Sequence, residues 1–279
     1  MTIDEIIKNA LAEDIGDGDH TTLATMPGNV PGKARLLVKD HGILCGADLA
    51  ERIFKMVDPA VQVSKYIRDG AEIKKDDVVF EVNGNKSSIL ISERLVLNFM
   101  QRLSGIATAT SRAVKQLEGL KTKILDTRKT TPLLRELEKY AVRTGGGTNH
   151  RMGLYDMIMI KDNHVDYAGG IAKAIEAVVQ YLDRTGKKLK IEIEVRNLDE
   201  LNQVLAHGKI DRIMLDNFSV KSMTEAIILI NGRFETEASG GITEGSLRAY
   251  AETGVDFISM GALTHQIKSL DMSLKAEEK

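Results

Sequence analysis

Four short segments of the chain gather cationic side chains. DTRKTTP carries Arg128 and Lys129, RTGGGTNHR carries Arg143, His150 and Arg151, MIMIKDNH carries Lys161 and His164, and QRLSGIAT carries Arg102. A guanidinium fork matches a carboxylate through two parallel hydrogen bonds, while a lysine acts as a point charge. Together they suit a ligand with two carboxylates, or with a carboxylate and phosphates. Two acids, Glu194 and Asp216, could hold Mg²⁺ or accept hydrogen bonds from sugar hydroxyls. Glu192 alternates with Glu194 and shares its face, where it could instead pair with a barrel cation. Two glycine motifs, Ser239-Gly240-Gly241 and Met260-Gly261-Ala262, offer exposed backbone N–H groups of the kind that cradle phosphate. Taken singly, each of these residues reads as a solvated charge or an ordinary turn. Their recurrence at successive, similar positions is what points to a site.

Those positions are the ends of apolar runs. KILDTRK, MIMIKDNH, KIEIEVRN, DRIMLDNF, FETEASGG and DFISMGAL each read as a short strand running into polar residues. Helical stretches separate them, among them GGIAKAIEAVVQYLDRTG, LDELNQVLAHG and SVKSMTEAIILIN. Glu194, Asp216, Ala238 and Met260 follow one another at a constant interval, as parallel βα units would place them. The spacing predicts a βα-barrel or part of one, with its chemistry at the C-terminal ends of the strands. The triple glycine before Thr148 reads as a loop able to close over substrate.

The region before residue 105 has another texture. Short β-rich runs (KARLLVKDHGILCG, AVQVSKYIRDG, DVVFEV) alternate with turns, around one helix in GADLAERIFKMV. An opening helix is predicted in TIDEIIKNALAEDIG, with Thr2 and Glu5 forming a capping box. The stretch from Ser87 through Leu117 has helical spacing and should bridge the two textures. The fold expected from these textures is α/β, an α+β region followed by a run of βα units.

Composition narrows the function. Hydrophobic residues make up 43% of the 279 positions, enough for a sizeable core, and aromatics only 4% with no Trp, which argues against stacking on single-stranded nucleic acid. Residues 98–164 hold twelve Lys and Arg against six Asp and Glu, a local excess of positive charge in a chain of net charge -2. A basic middle in a mildly acidic protein suits a small anion better than a polyanion. The single cysteine, Cys45, excludes a disulfide framework and a cysteine-built zinc site. No apolar run approaches a membrane span, and a cytoplasmic protein is expected, with neither nucleic acid nor membrane as partner.

The motifs EDIGDGDHTT, QRLSGIAT, DTRKTTP, GGGTNHRMGLYDMIMIKDNH, IEIEV, IMLDNF, EASGGI and ISMGALTH occur in this order from residue 13 to 265. In these the chain resembles the quinolinate phosphoribosyltransferases, the carboxylating nicotinate-nucleotide pyrophosphorylases. The resemblance implies phosphoribosyl transfer from phosphoribosyl pyrophosphate to quinolinate, with decarboxylation, giving nicotinate mononucleotide, pyrophosphate and CO₂ in NAD biosynthesis. It implies Mg²⁺ as cofactor, a homodimer or higher homo-oligomer, and an α/β fold made of an open incomplete βα-barrel with an N-terminal α+β sandwich-like domain, divided as 1–105, 106–265 and a tail, 266–279, that packs back on the first domain. Arg128, His150, Arg151 and Lys161, with Thr127 and Lys129, would form the quinolinate pocket, and Arg102 would be lent by a neighbouring subunit. Glu194 and Asp216 would lie near ribose and metal, and the two glycine motifs would bind phosphate. Lys129, Lys161, Glu194 and Asp216 would be the catalytic set. Two positions depart from the pattern: Leu133 stands where glycine is expected and Gln101 where asparagine is. A relative linked to molybdenum transport, a Schiff-base enzyme using Lys161, and a non-catalytic anion binder are the competing readings.

Overall fold

The computed structural model describes residues 1–26 and 28–277; Pro27 and the last two residues of the expected tail lie outside them. The first elements are α1 (Ile3–Ile15), α2 (His20–Thr25), β1 (Pro31–Val38), β2 (Gly42–Ile43), α3 (Ala47–Val57), β3 (Gln62–Lys65), β4 (Glu72–Ile73), β5 (Val78–Asn85) and α4 (Lys86–Lys115). Next come β6 (Lys123–Leu125), α5 (Arg135–Thr144), β7 (Ile158–Ile160), α6 (Asp162–Ala168), α7 (Ile171–Thr185), β8 (Ile191–Val195) and α8 (Leu198–His207). The chain ends with β9 (Arg212–Asp216), α9 (Val220–Ile230), β10 (Glu235–Ser239), α10 (Leu247–Ala251), β11 (Phe257–Ser259), α11 (Ala262–His265) and β12 (Met272–Ala276). Two compact units result. One comprises residues 1–111, 131–146 and 263–279; the other comprises 112–130 and 147–262.

The first unit is built on a four-stranded antiparallel sheet in the order β12-β1-β5-β3. Alternation in β1 buries Leu36 and Val38, and the C-terminal strand β12 zips onto β1 with Leu274 opposite Leu36. Phe54 of α3 meets Phe80 of β5 edge to face at 6.0 Å, a pairing worth about 1 kcal/mol beyond its burial. Thr2 and Glu5 exchange the two hydrogen bonds of the expected capping box at the start of α1. The N-terminus of α3 begins at Gly46, which has no side chain to cap it. Asp69 does so from a distance, accepting the N–H groups of Gly46 and Ala47 and the hydroxyl of Tyr140.

The second unit contains all six expected strands in one parallel sheet, ordered β6-β11-β10-β9-β8-β7. The first strand in sequence pairs with the last, as barrel closure demands, yet β6 and β7 do not pair. Thr148 makes a lone parallel bridge to Leu125 on the free side of β6. The barrel is therefore open, and its gap falls between Thr148 and β7. Helices α7, α8 and α9 occupy the predicted stretches between strands, and the three βα units from β8 to β11 recur as the interval in sequence required.

The triple glycine differs from expectation. Gly145 caps α5, and a Cβ there would meet the Ala107 carbonyl oxygen at 2.3 Å. On the other side Thr148 donates to the Ile124 carbonyl and accepts from the Asp126 N–H. The run is anchored at both ends. Close packing, not a moving lid, accounts for its first glycine.

Candidate active site

The ends of β6 to β11 and the segments beyond them carry every site residue expected from sequence except Arg102. The residues Thr127, Arg128, Lys129, His150, Arg151, Lys161, Glu194, Asp216, Ser239, Gly240, Gly241, Met260, Gly261 and Ala262 all belong to the second unit, and Arg102 to the first.

The acids arise from strand pleat. In β8, Glu192 and Glu194 point to the same side, two residues apart, and Asp216 closes β9. Glu194 is half-buried, and its carboxyl is pushed up from the ordinary range by burial first and by the Asp216 charge second. Lys161 lies just after β7 and offsets this from 3.9 Å, Nζ to Glu194 Oε2. A half-buried carboxylate beside a second carboxylate, both with oxygen as their only donor, fits a hard divalent cation. Glu194 and Asp216 are the residues that would hold Mg²⁺. The Lys161 side chain is 48% exposed, the opposite of the desolvated lysine a Schiff-base enzyme needs.

The cations are arranged differently. Arg128 and Lys129 are exposed beyond β6, and Thr127 Oγ1 accepts the Lys129 N–H at 3.1 Å. Among the described residues the Arg151 guanidinium donates only to the Met157 carbonyl, 3.2 Å, and to the Met159 sulfur, 3.6 Å. Its guanidinium is pushed down from its ordinary value by burial and then by the charge of Arg128. The fold thus holds two guanidinium groups close enough to repel, and no carboxylate among the described residues comes within ion-pair distance of Arg151. His164 takes a different part from the one its place among the cations suggested. Its Nδ1 accepts the Lys161 N–H at 2.9 Å, fastening the start of α6.

His150 faces inward. Its Nδ1 accepts the N–H of Arg151 at 2.7 Å, and its Nε2 lies 3.1 Å from Glu192 and 3.3 Å from Glu237. Through Nδ1, His150 also holds the backbone of Arg151. Burial pushes the imidazole down, but the two carboxylates overcome it and raise it to about 9. Burial and the Glu237 charge raise Glu192 to about 7. In the neutral ring the Nε2 proton faces the two carboxylates while Nδ1 accepts; protonating the ring adds a proton at Nδ1 and gives up that acceptor contact. Glu237 is also buried, but His150, Ser259 and Arg212 keep it below the ordinary carboxyl range.

The donor atoms of His150, Glu192 and Glu237 lie within 4.8 Å of one another, close enough for a metal ion. Arg212 is already 3.1 Å from Glu237 and stacked over Phe257. With the His150 ring protonated, it and Arg212 balance the two carboxylates without an ion.

Sequence reading anticipated that Glu192 could pair with a barrel cation. It missed Arg212, Glu237 and Asp126. Asp126 is fully buried and accepts the His150 N–H at 2.8 Å and the Asn149 amide. Its signal was present, as the first residue of DTRK. Glu237 could have been found from its alternation with Ser239 in β10.

The glycine motifs close the strand-end face. Gly240 (φ 93°) and Gly241 (φ 61°) are both left-handed, and a Cβ on Gly240 would meet Asn217 Oδ1 at 2.3 Å. Successive amides in such a conformation form an anion-binding concavity. Met260 is buried, and its N–H is spent on the Leu125 carbonyl. That leaves Gly261 and Ala262 as the half-buried part of the second motif.

An open parallel βα-barrel with paired guanidinium groups, paired carboxylates and a glycine anion cradle at its strand ends defines a class: enzymes that bind polyanionic small molecules. Comparison with known proteins narrows it. The profile of the quinolinate phosphoribosyl transferase N-terminal domain matches residues 19–104, and that of the C-terminal domain matches 106–275. The chain is 46% identical to quinolinate phosphoribosyltransferase [decarboxylating] 2b, mitochondrial, of Nicotiana tabacum, over 98% of this chain and 82% of that protein. It is 43% identical to the probable nicotinate-nucleotide pyrophosphorylase [carboxylating] of Bacillus subtilis, over 98% and 93%. The solved nicotinate-nucleotide pyrophosphorylase of Francisella tularensis superposes with a TM-score of 0.92 at 43% identity, covering 99% of this chain and 96% of that one. The chain belongs to the quinolinate phosphoribosyltransferase family.

Proposed function

We propose that this chain catalyses phosphoribosyl transfer from phosphoribosyl pyrophosphate to quinolinate, with loss of one carboxylate as CO₂, yielding nicotinate mononucleotide and pyrophosphate for NAD biosynthesis. The observation that carries the proposal is the Arg128–Arg151 pair, whose repulsion a bound dicarboxylate relieves. Arg128, Arg151 and Lys161 bind and orient quinolinate, with Thr127 and Lys129 beside them and His150 fixing the backbone of Arg151. Arg102, contributed by a second copy of the chain, completes recognition of the two carboxylates. The pyridine nitrogen attacks the anomeric carbon as pyrophosphate departs. The ribose then carries positive charge, and Glu194 and Asp216 stabilise it. The new pyridinium nitrogen stabilises the electron pair that the departing carboxylate leaves on the adjacent ring carbon, and that carbon then takes up a proton from water. Mg²⁺ held by Glu194 and Asp216 would supply compensation for the pyrophosphate charge. Ser239, Gly240 and Gly241, with Gly261 and Ala262 seated on Met260, hold the phosphates. Lys129 and Lys161 place fixed positive charge beside the reacting groups. No covalent nucleophile is needed; burial pushes the Cys45 thiol up, which suits an inert core residue.

The same reading includes domains that divide at residues 105 and 265, assembly at least as a homodimer, and a cytoplasmic location. Sedimentation and cell fractionation test the last two. Among the described residues no helix is long and apolar enough to cross a membrane. The activity is tested with purified protein, Mg²⁺ and both substrates. Quinolinate should yield CO₂, pyrophosphate and nicotinate mononucleotide in equal amounts, and Arg128→Ala or Lys161→Ala should abolish all three. Turnover of another base in preference to quinolinate would refute the assignment.

A further inference from the structure

Arg102 is held by a fully buried carboxylate that the reaction outlined above does not use. In α5, Glu138 Oε1 accepts from Arg102 Nε at 2.9 Å and from Nη2 at 2.6 Å. The other oxygen, Oε2, accepts the Thr131 N–H at 3.1 Å. Arg102 Nη2 also donates to Thr131 Oγ1 at 2.7 Å and to the Thr264 carbonyl at 3.0 Å. One edge of the guanidinium is thereby consumed. The remaining nitrogen, Nη1, has no hydrogen-bond partner among the described residues, and the side chain is 30% exposed. A free arginine presents two nitrogens to a carboxylate as a fork. Arg102 is held so that Nη1 is the nitrogen left to do so.

We propose that Glu138 is a positioning residue: it locks the Nε and Nη2 edge of Arg102 and leaves Nη1 to a carboxylate of the substrate. The proposal rests on the reading that Arg102 binds quinolinate. An arginine locked before binding loses no rotamer freedom when the ligand arrives. A carboxylate is required because the edge it holds is charged, and charge-assisted hydrogen bonds hold better than neutral ones.

Steady-state kinetics of the full chain with both substrates and Mg²⁺ test this, using Glu138→Ala, Arg102→Ala and the double variant. Glu138→Ala should raise KM for quinolinate roughly 3- to 10-fold, the cost of immobilising one long side chain. Its kcat and its KM for phosphoribosyl pyrophosphate should stay within about 2-fold of the parent, because binding and not chemistry is affected. In the Arg102→Ala background the Glu138 substitution should have no further effect on the quinolinate KM. A merely structural carboxylate would impair both substrates, or act equally with and without Arg102, and either result overturns the proposal. Should Glu138→Ala fail to fold, Glu138→Gln decides. Its amide holds the guanidinium less firmly, and the quinolinate KM should rise at least about 2-fold; an unchanged KM overturns the proposal. An Arg102→Ala protein with unaltered quinolinate KM refutes the underlying role of Arg102 instead.

Discussion

Replacing Leu133 by glycine should stabilise this protein. Thr131, Pro132, Leu133 and Leu134 form a β-turn closed by the Leu134 N–H on the Thr131 carbonyl at 3.1 Å, and Leu133 has φ 68°. Proline second and a positive φ third is the type II pattern, in which glycine is strongly favoured at the third position. An L-residue there costs about 1–2 kcal/mol through its Cβ. Glycine relieves that cost but gives back about 0.4–1 kcal/mol through the greater freedom of the unfolded chain. Leu133 is 65% exposed, so removing its side chain sacrifices little burial. The net gain expected is about 0.5–1 kcal/mol, or a rise in Tm of about 1–4 °C for a chain of this size. Calorimetry of Leu133→Gly, Leu133→Asn and Leu133→Ala separates the causes. Glycine should gain most, asparagine part of it, and alanine nothing, since alanine keeps the Cβ. If alanine stabilises as much as glycine, the gain comes from removing an exposed apolar side chain and the backbone argument fails. Quinolinate KM should be unaffected, because α5 and Glu138 follow the turn unchanged.

The buried His150–Glu192 proton predicts a pH dependence. His150 is raised from 6.5 to about 9 in the folded protein, so its contribution to stability is complete below about 6.5 and lost as pH climbs through about 9. The Tm should therefore fall across that window, and Glu192→Gln, which removes a carboxylate supporting the proton, should flatten the fall; a wild-type Tm that does not change between these limits contradicts the assignment. At the strand ends, Glu194→Gln or Asp216→Asn should lower kcat by about 10²-fold or more, as loss of one fixed group facing a developing charge does. Each should also weaken the response to Mg²⁺ in a titration of activity. Loss of either carboxylate with an unchanged Mg²⁺ response would remove it from the metal site.

The parts of this molecule legible in its sequence are those governed by local rules. Six strands could be read because short apolar runs ending in charge have one economical use, and the constant interval from Glu194 to Met260 fixed their parallel order. Thr2 and Glu5 cap α1 as their spacing requires, since a capping box involves only four consecutive residues. The exposed cations and the acids at strand ends were legible for the same reason. What escaped was the layer beneath. His150 was grouped with the substrate-binding cations because its neighbours are cationic, yet its orientation depends on Glu237, 87 positions further on, which sequence gives no means of pairing with it. Arg212 begins its strand and reads as a surface charge; only the register that sets it opposite Glu192 and Glu235 makes it a buried counter-ion. Glycine misled in the other direction. In the triple glycine it suggested mobility, although Gly145 is there because Ala107 leaves no room for a Cβ. At position 133 the expectation of glycine was physically sound, and the backbone adopts the conformation glycine would have taken even though leucine occupies it. A fold can impose its turn on an unsuitable residue when the elements on both sides are fixed. Here the proline before Leu133 and the Glu138–Thr131 and Arg102–Thr131 hydrogen bonds around it supply that fixing, so the strain measured by Leu133→Gly is also a measure of how firmly the Arg102 anchorage is held.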